Sequence, residues 1–196
     1  MIPRNVQITL VLLLFAVFCS GIYILHLHSR TAENLRRAAD NRPVAAPVAG
    51  ANAIIKLTVA YDEDGVFRTR ELSTVLSRDP NTRAKDILDA LVAYYVDKPS
   101  PHALGDGSIV NNVFFVKDKL AVVDLNWSVA EGHRSGIMVE DFTVISVIDT
   151  LFANFPQLEQ VKILVDGKER ETLAGHVDLK SIYSTAAVHK LVAQLQ

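Results

Sequence analysis

Residues 161–179 read VKILVDGKERETLAGHVDL, and this run decides the fold class. Val161–Val165 is a short β-rich apolar segment, Asp166-Gly167 is a dipeptide suited to a tight hairpin turn, and Lys168–Leu173 continues as a returning strand. Beyond it, Gly175 permits an unusual backbone turn. His176 and Asp178 then carry side chains able to bond free backbone groups of the returning chain, with Leu179 as an apolar anchor. Gly167, Gly175, His176 and Asp178 are therefore expected to be structural turn and clamp residues.

Upstream, the pattern of strand pair then helix occurs twice. Ile54–Tyr61 and Phe67–Leu76 flank the turn Asp62–Gly65 (DEDG), which predicts a hairpin. Asp79-Pro80 marks a helix start, with a carboxylate to cap free amides and a proline suited to the first helical position. The stripe Ala84, Ile87, Leu88, Leu91, Val92 and Tyr95 follows at helical spacing. After a loop over residues 97–108, Val110–Val116 and Leu120–Leu125 predict a second hairpin around Lys117-Asp118-Lys119, followed by an exposed bend at 126–136. Met138, Phe142, Ile145, Ile148, Phe152 and Phe155 trace a second helical stripe that ends at Pro156.

The order is ββα-ββα-ββ. One apolar stripe per helix predicts an α/β (α+β) two-layer sandwich, with two helices on one face of a single, largely antiparallel sheet. Ser184–Gln196 carries a short helical pattern, expected to dock on the domain or to serve as a contact helix. The chain thus divides into an anchor at 1–28, a linker at 29–52, a domain at 53–183 and a C-terminal helix at 184–196.

Residues 6–27 hold no Asp, Glu, Lys or Arg. The apolar core from Ile8 to Leu25 is long enough to span about 30 Å of hydrocarbon and too long for a usual signal-peptide core, so an uncleaved single-pass transmembrane helix is predicted. Arg4 lies on one side of it and Arg30, Arg36 and Arg37 on the other, so charge alone leaves orientation open. Cys19, the one cysteine, lies inside the span behind Phe18, a poor lipidation context, and a lone cysteine builds neither a disulfide framework nor a thiolate metal site. The stretch NRPVAAPVAGAN (41–52) reads as a semi-extended spacer. Residues 51–196 carry fifteen Lys/Arg against twenty Asp/Glu, and no basic cluster follows Arg37, which argues against nucleic acid as a partner.

Several stretches resemble the GerMN domain, the sporulation and spore germination domain that also occurs in other bacterial envelope proteins. The matching features are Asp79-Pro80, LAVVDLNWS at 120–128, the approach from Gly132 to Glu140, Thr150-Leu151 with Phe155-Pro156, and the 161–179 run. Three departures stand out: Lys119 where the family usually has a turn glycine, Ser146 for a frequent Gln, and Ile182 for a common proline. The lysine predicts a different turn, since it tolerates positive φ poorly. The resemblance implies a fold similar to ring-building domains and an assembly or scaffold role without enzymatic activity. It also implies a C-terminal domain outside the cytoplasm, held at the cell membrane, with envelope proteins and further copies of the chain as partners.

No H-E-x-x-H, G-x-S-x-G or P-loop pattern is present, so neither catalytic residues nor a cofactor or metal site is assigned. His102, His133 and His176, with Asp178 or Asp124, form the metal-hydrolase alternative. An extracytoplasmic module that senses peptidoglycan or a small molecule is the other, favoured by a pocket of several hundred Å³ with aromatic and polar walls. Trp127 ends a strand as either a lid on the core or an interface anchor. Trp127, His133 and Arg134, in the loop 126–135, are the candidate partner-contact residues; the loop 99–106 and the sheet edges are the other contact surfaces.

Overall fold

The turn Asp62–Gly65 folds β1 (Asn52–Tyr61) back against β2 (Val66–Val75), antiparallel from Asn52 opposite Val75 to Tyr61 opposite Val66. The computed structural model describes residues 52–196. The apolar run at 6–27 and the spacer up to residue 51 lie outside the described residues. Among the described residues no helix is long and apolar enough to cross a membrane.

Helix α1 (Pro80–Val96) begins where its sequence demands. The Asp79 carboxylate accepts from the Thr82 amide at 2.8 Å, and Pro80 occupies a position that needs no N–H donor. Its buried residues are the six of the expected stripe. A second hairpin joins β3 (Val110–Val116) to β4 (Leu120–Leu125). Its turn places Lys117 and Asp118 at φ 52° and 58°, so the left-handed positions precede Lys119.

The chain continues through α2 (Trp127–Glu131), α3 (Ile137–Asn154), β5 (Gln160–Val165), β6 (Tyr183–Ser184) and α4 (Thr185–Gln194). The described residues thus form a mixed α/β fold with two sheets and four helices. The bend expected at 126–136 contains α2, which buries Val129 and Ala130.

The third strand pair does not form. Lys168 makes only an isolated bridge with Val165, and the run KERETL offers Leu173 alone to a buried face. Thr172 bridges Asp178 and the Leu173 amide donates to the Val177 carbonyl, so this segment closes a tight loop. Strand β5 instead pairs in parallel with β4, from Leu120 opposite Gln160 to Leu125 opposite Val165, and antiparallel with β6.

The single, largely antiparallel sheet is also corrected. The strands form a β1-β2 ribbon and a separate sheet ordered β3-β4-β5-β6 with a parallel central pair. The ribbon stays separate because helix side chains occupy the second edge of β1. Asn154 Oδ1, Thr150 Oγ1 and the Tyr95 hydroxyl accept from the amides of Lys56, Thr58 and Ala60 at 3.1, 2.9 and 2.8 Å. Those amides, which another strand would have paired, are already satisfied.

Helix α3 departs from its single stripe in the same way. Phe142 through Leu151 are all buried, whereas Met138 is half exposed. The helix packs against β1, α1 and α4, and a helix covered on several sides buries its polar positions too. Helix α4 docks on α3 through Val188 and Val192, capped by the Ser184 hydroxyl, and the Leu195 carbonyl accepts from the Phe67 amide at 2.8 Å.

Candidate functional site

Four residues distant in sequence meet beside α3. His102, fully buried in the loop before β3, sets Nδ1 2.6 Å from Asp62 Oδ1 and Nε2 2.6 Å from Thr143 Oγ1. His133, just past α2, points Nε2 at the same hydroxyl at 2.6 Å and Nδ1 at the Arg134 carbonyl at 2.7 Å. The Arg134 guanidinium donates to the other Asp62 oxygen, and Tyr95 packs edge-on to His102 with centroids 4.6 Å apart. Burial would raise the Asp62 pKa, but hydrogen bonds and charge from His102 and Arg134 hold it below the usual carboxylate value. Burial lowers the pKa of His133 by disfavouring its charged form.

Asp62, His102 and Thr143 stand at the distances of a carboxylate–imidazole–hydroxyl relay. Thr143, however, is 2% exposed, and its hydroxyl already faces two rings and the Val139 carbonyl. The arrangement can fix loops and share a proton; as placed, it offers no attacking oxygen to a substrate. Among the described residues no three His, Cys, Asp or Glu side chains converge as metal ligands. His102 and His133 meet at a threonine, and His176 stands apart.

Of the residues read as turn and clamp, Gly175 and His176 gather around a carboxylate that the sequence reading did not single out, whereas Gly167 and Asp178 bond elsewhere. Glu140 in the first turn of α3 is fully buried. Its Oε2 accepts from the amides of Ala174, His176 and Val177 at 3.0, 2.9 and 3.0 Å, and its Oε1 from His176 Nδ1 at 2.8 Å and the Gly136 amide at 3.2 Å. Burial alone would raise its pKa; the His176 side chain and the backbone amides outweigh that and hold it at about 2. Gly175, at φ 123°, lets the backbone turn so that amides on both sides of it reach one oxygen. Asp178 bonds forward to the Lys180 amide at 2.7 Å and to the Ser181 hydroxyl, while Gly167, at φ 69°, donates its amide to Asp124 Oδ1 at 2.7 Å. In the sequence, Glu140 reads as an ordinary charge at a helix start.

The candidate contact residues separate into two kinds. Trp127 is 52% exposed, with the Arg170 guanidinium 4.8 Å from its ring centroid, and the Arg134 side chain is 53% exposed. His133 is 8% exposed, which corrects its reading as a surface contact: its ring belongs to the interior network. Sequence reasoning also missed a backbone contact, in which Gly105 lies so close to Gly132 that a Cβ would come within 3.0 Å of the Gly132 Cα. Two surface features complete the inventory. A cavity of about 390 Å³ is walled by Tyr61, Tyr94, Arg70, Glu63 and Ser100, and β2 is exposed along most of its length.

The family model described as Germane: Sporulation and spore germination matches residues 57–171. Among solved structures, the chain is similar to the first GerMN domain of the sporulation protein GerM from Bacillus subtilis. That likeness has 22% identity and a TM-score of 0.50, covering 66% of this chain and 94% of that one. The tandem GerMN domains of the same protein give 21% identity and a TM-score of 0.51, covering 68% of this chain and 46% of that one. No curated protein matches this chain. These structural likenesses show a shared fold, and the family match spans more than half of the sequence: the chain belongs to the Germane family of sporulation and spore germination domains.

Proposed function

We propose that this chain is a membrane-tethered assembly protein of the bacterial cell envelope, acting in sporulation or germination. Its domain binds other envelope proteins outside the cytoplasm and performs no catalysis. The observation that carries the reading is where polarity and exposure fall. The residue types an enzyme would use are locked in the buried networks of Thr143 and Glu140, whereas β2, Trp127 and Arg134 face outward. Aromatic and arginine side chains on a surface are the types enriched at binding hot spots. The charge-free run at 6–27 supports the tether. Crosslinking of the full chain in its native membranes tests the reading: heterologous adducts are expected, and recovery of bare monomer alone overturns it.

A second reading has one observation in its favour. The cavity of about 390 Å³ has two tyrosine walls, the Arg70 guanidinium and the Glu63 carboxylate, a mixture suited to a small polar ligand or a peptidoglycan fragment. Binding of soluble peptidoglycan fragments, followed by tyrosine fluorescence and lost in Tyr94→Ala, is the outcome this reading requires.

A further inference from the structure

The cavity beside the β1–β2 turn is walled by residues on either side of a buried pair. Tyr61, Glu63 and Asp64 flank Asp62, and Pro99, Ser100 and Pro101 precede His102. The Asp62 amide donates to the Pro101 carbonyl at 3.1 Å, and the Asp62 carboxylate meets His102 Nδ1 at 2.6 Å. The two walls are therefore tied together from behind, and walls fixed in advance spare a ligand the cost of ordering them.

Two opposite charges face this space without neutralising each other. Arg70 Nε and Nη2 both donate to the Tyr61 hydroxyl, at 3.1 and 2.9 Å, and the guanidinium carbon lies 5.2 Å from the Tyr94 ring centroid. Both partners are uncharged phenols, so the guanidinium is held in place with its charge intact. Tyr61 uses one edge of the planar fork, and the Nη1–Nη2 edge stays open to both oxygens of a carboxylate. Glu63 has no ion pair among the described residues. The cations of the adjoining segments are taken, Arg68 by Asp64 at 2.8 Å, Lys98 by Asp106 at 3.6 Å and Arg134 by Asp62. The cavity thus presents one free cation and one free anion, with Pro99, Pro101 and the Tyr94 ring as its apolar wall.

We propose that this cavity binds a small zwitterion of the amino-acid type, a free amino acid or a short peptide, with its carboxylate on Arg70 and its ammonium on Glu63. The proposal rests on the second reading above and names the ligand class of that site. A purely anionic ligand would meet the Glu63 carboxylate, and a purely cationic one would meet Arg70; a molecule carrying both charges matches both walls. The volume of about 390 Å³ lies near the lower end of the roughly 300–1,000 Å³ of small-molecule sites, which suits an occupant of this size.

The test titrates the detergent-solubilised full chain with alanyl-alanine, with its N-acetyl form, which lacks the ammonium, and with its C-terminal amide, which lacks the carboxylate. Saturation-transfer NMR follows binding. Alanyl-alanine is expected to bind, and each blocked form to bind about fivefold more weakly, the upper end for one exposed ion pair. Arg70→Gln is expected to remove the discrimination against the amide alone, and Glu63→Gln the discrimination against the N-acetyl form alone. Both side chains are exposed, so the substitutions leave the fold intact, and the preference that each variant keeps confirms it. Equal binding of the three probes, or no binding of alanyl-alanine, overturns the proposal. Preferences that survive both substitutions place the binding elsewhere and overturn it too. The second reading falls by a separate result, when peptidoglycan fragments fail to bind or bind equally in Tyr94→Ala.

Discussion

Two polar centres are buried on the same helix one turn apart, at Glu140 and Thr143, and they satisfy their partners by opposite means. The Glu140 carboxylate offers only acceptors and faces only donors: the amides of Gly136, Ala174, His176 and Val177 and one imidazole nitrogen. The Thr143 hydroxyl has a single proton and faces two imidazole nitrogens and, at 3.3 Å, the Val139 carbonyl. Each ring turns its other nitrogen to an obligate acceptor, the Asp62 carboxylate or the Arg134 carbonyl, so each enters with that nitrogen protonated. Burial holds His133 toward its neutral form, whose unprotonated Nε2 can only accept, so this ring and the Val139 carbonyl, 3.3 Å from the hydroxyl, compete for that one proton. A backbone nest around a carboxylate is a static clamp. A hydroxyl between two histidines is a junction whose bonding depends on where protons sit.

The sharpest way to break this contrast is Glu140→Gln. An amide presents its own donors to the amides that now converge on the carboxylate, and breaking a buried charged network costs on the order of 3–5 kcal/mol. Urea unfolding of the two forms measures it; a loss under about 1 kcal/mol removes the clamp from the account. Acid titration gives the same centre a second reading. Its folded-state pKa is depressed from 4.5 to about 2, so its stabilisation is fully present above pH 4.5 and is lost as pH falls through about 2. The amount at stake is on the order of 3 kcal/mol, and this step is expected to be absent in Glu140→Gln.

Thr143→Val is expected to come next. The isosteric methyl orphans Nε2 of both His102 and His133 in the interior, at about 1–3 kcal/mol for each unsatisfied group. Calorimetric unfolding checks the magnitude. A valine variant as stable as the parent would mean that the two rings repair the loss by bonding elsewhere, and the junction would lose its importance.

The reach of the sequence follows the same divide between local and distant partners. Hairpins and helix starts depend on neighbours: the tetrad Asp62–Gly65, the Asp79-Pro80 cap and the six-residue stripe of α1 were all readable because period and turn chemistry act within a few residues. The mate of β5 was not readable, because an apolar run of five residues pairs equally well with the strand that follows it or with β4. Only the lack of apolar alternation in KERETL hinted at the outcome. The capping of β1 by Tyr95, Thr150 and Asn154 was equally hidden, and with it the split into two sheets. Glu140 and the 174–177 segment that embraces it lie more than thirty positions apart, and no periodicity links them. The loop histidines were visible as residues; their convergence on one threonine was not.

A smaller effect separates the centres by pH. His133 has a folded-state pKa below its ordinary 6.5, so its contribution is fully present above pH 6.5 and declines as pH falls below that value. Stability is therefore expected to decline in two stages, the first starting near pH 6.5 from the junction and the second below 4.5 from the clamp. His133→Gln keeps a donor and an acceptor in place without a titrating ring and is expected to remove the first stage alone. A first stage that persists in this variant would assign it to another group.

The smallest expected effect is at Arg134, and it decides what that residue is for. Its guanidinium donates to Asp62 at the rim of the junction, but the side chain is 53% exposed, and exposed ion pairs contribute about 0–1 kcal/mol. Arg134→Ala should therefore leave unfolding within about 1 kcal/mol of the parent, because His102 still faces the Asp62 carboxylate from inside. If stability holds while partner crosslinking falls, the arginine works on the surface. A loss as large as that of Thr143→Val would instead make Arg134 the outer wall of the junction, and the partner surface would narrow to Trp127 and the β2 edge.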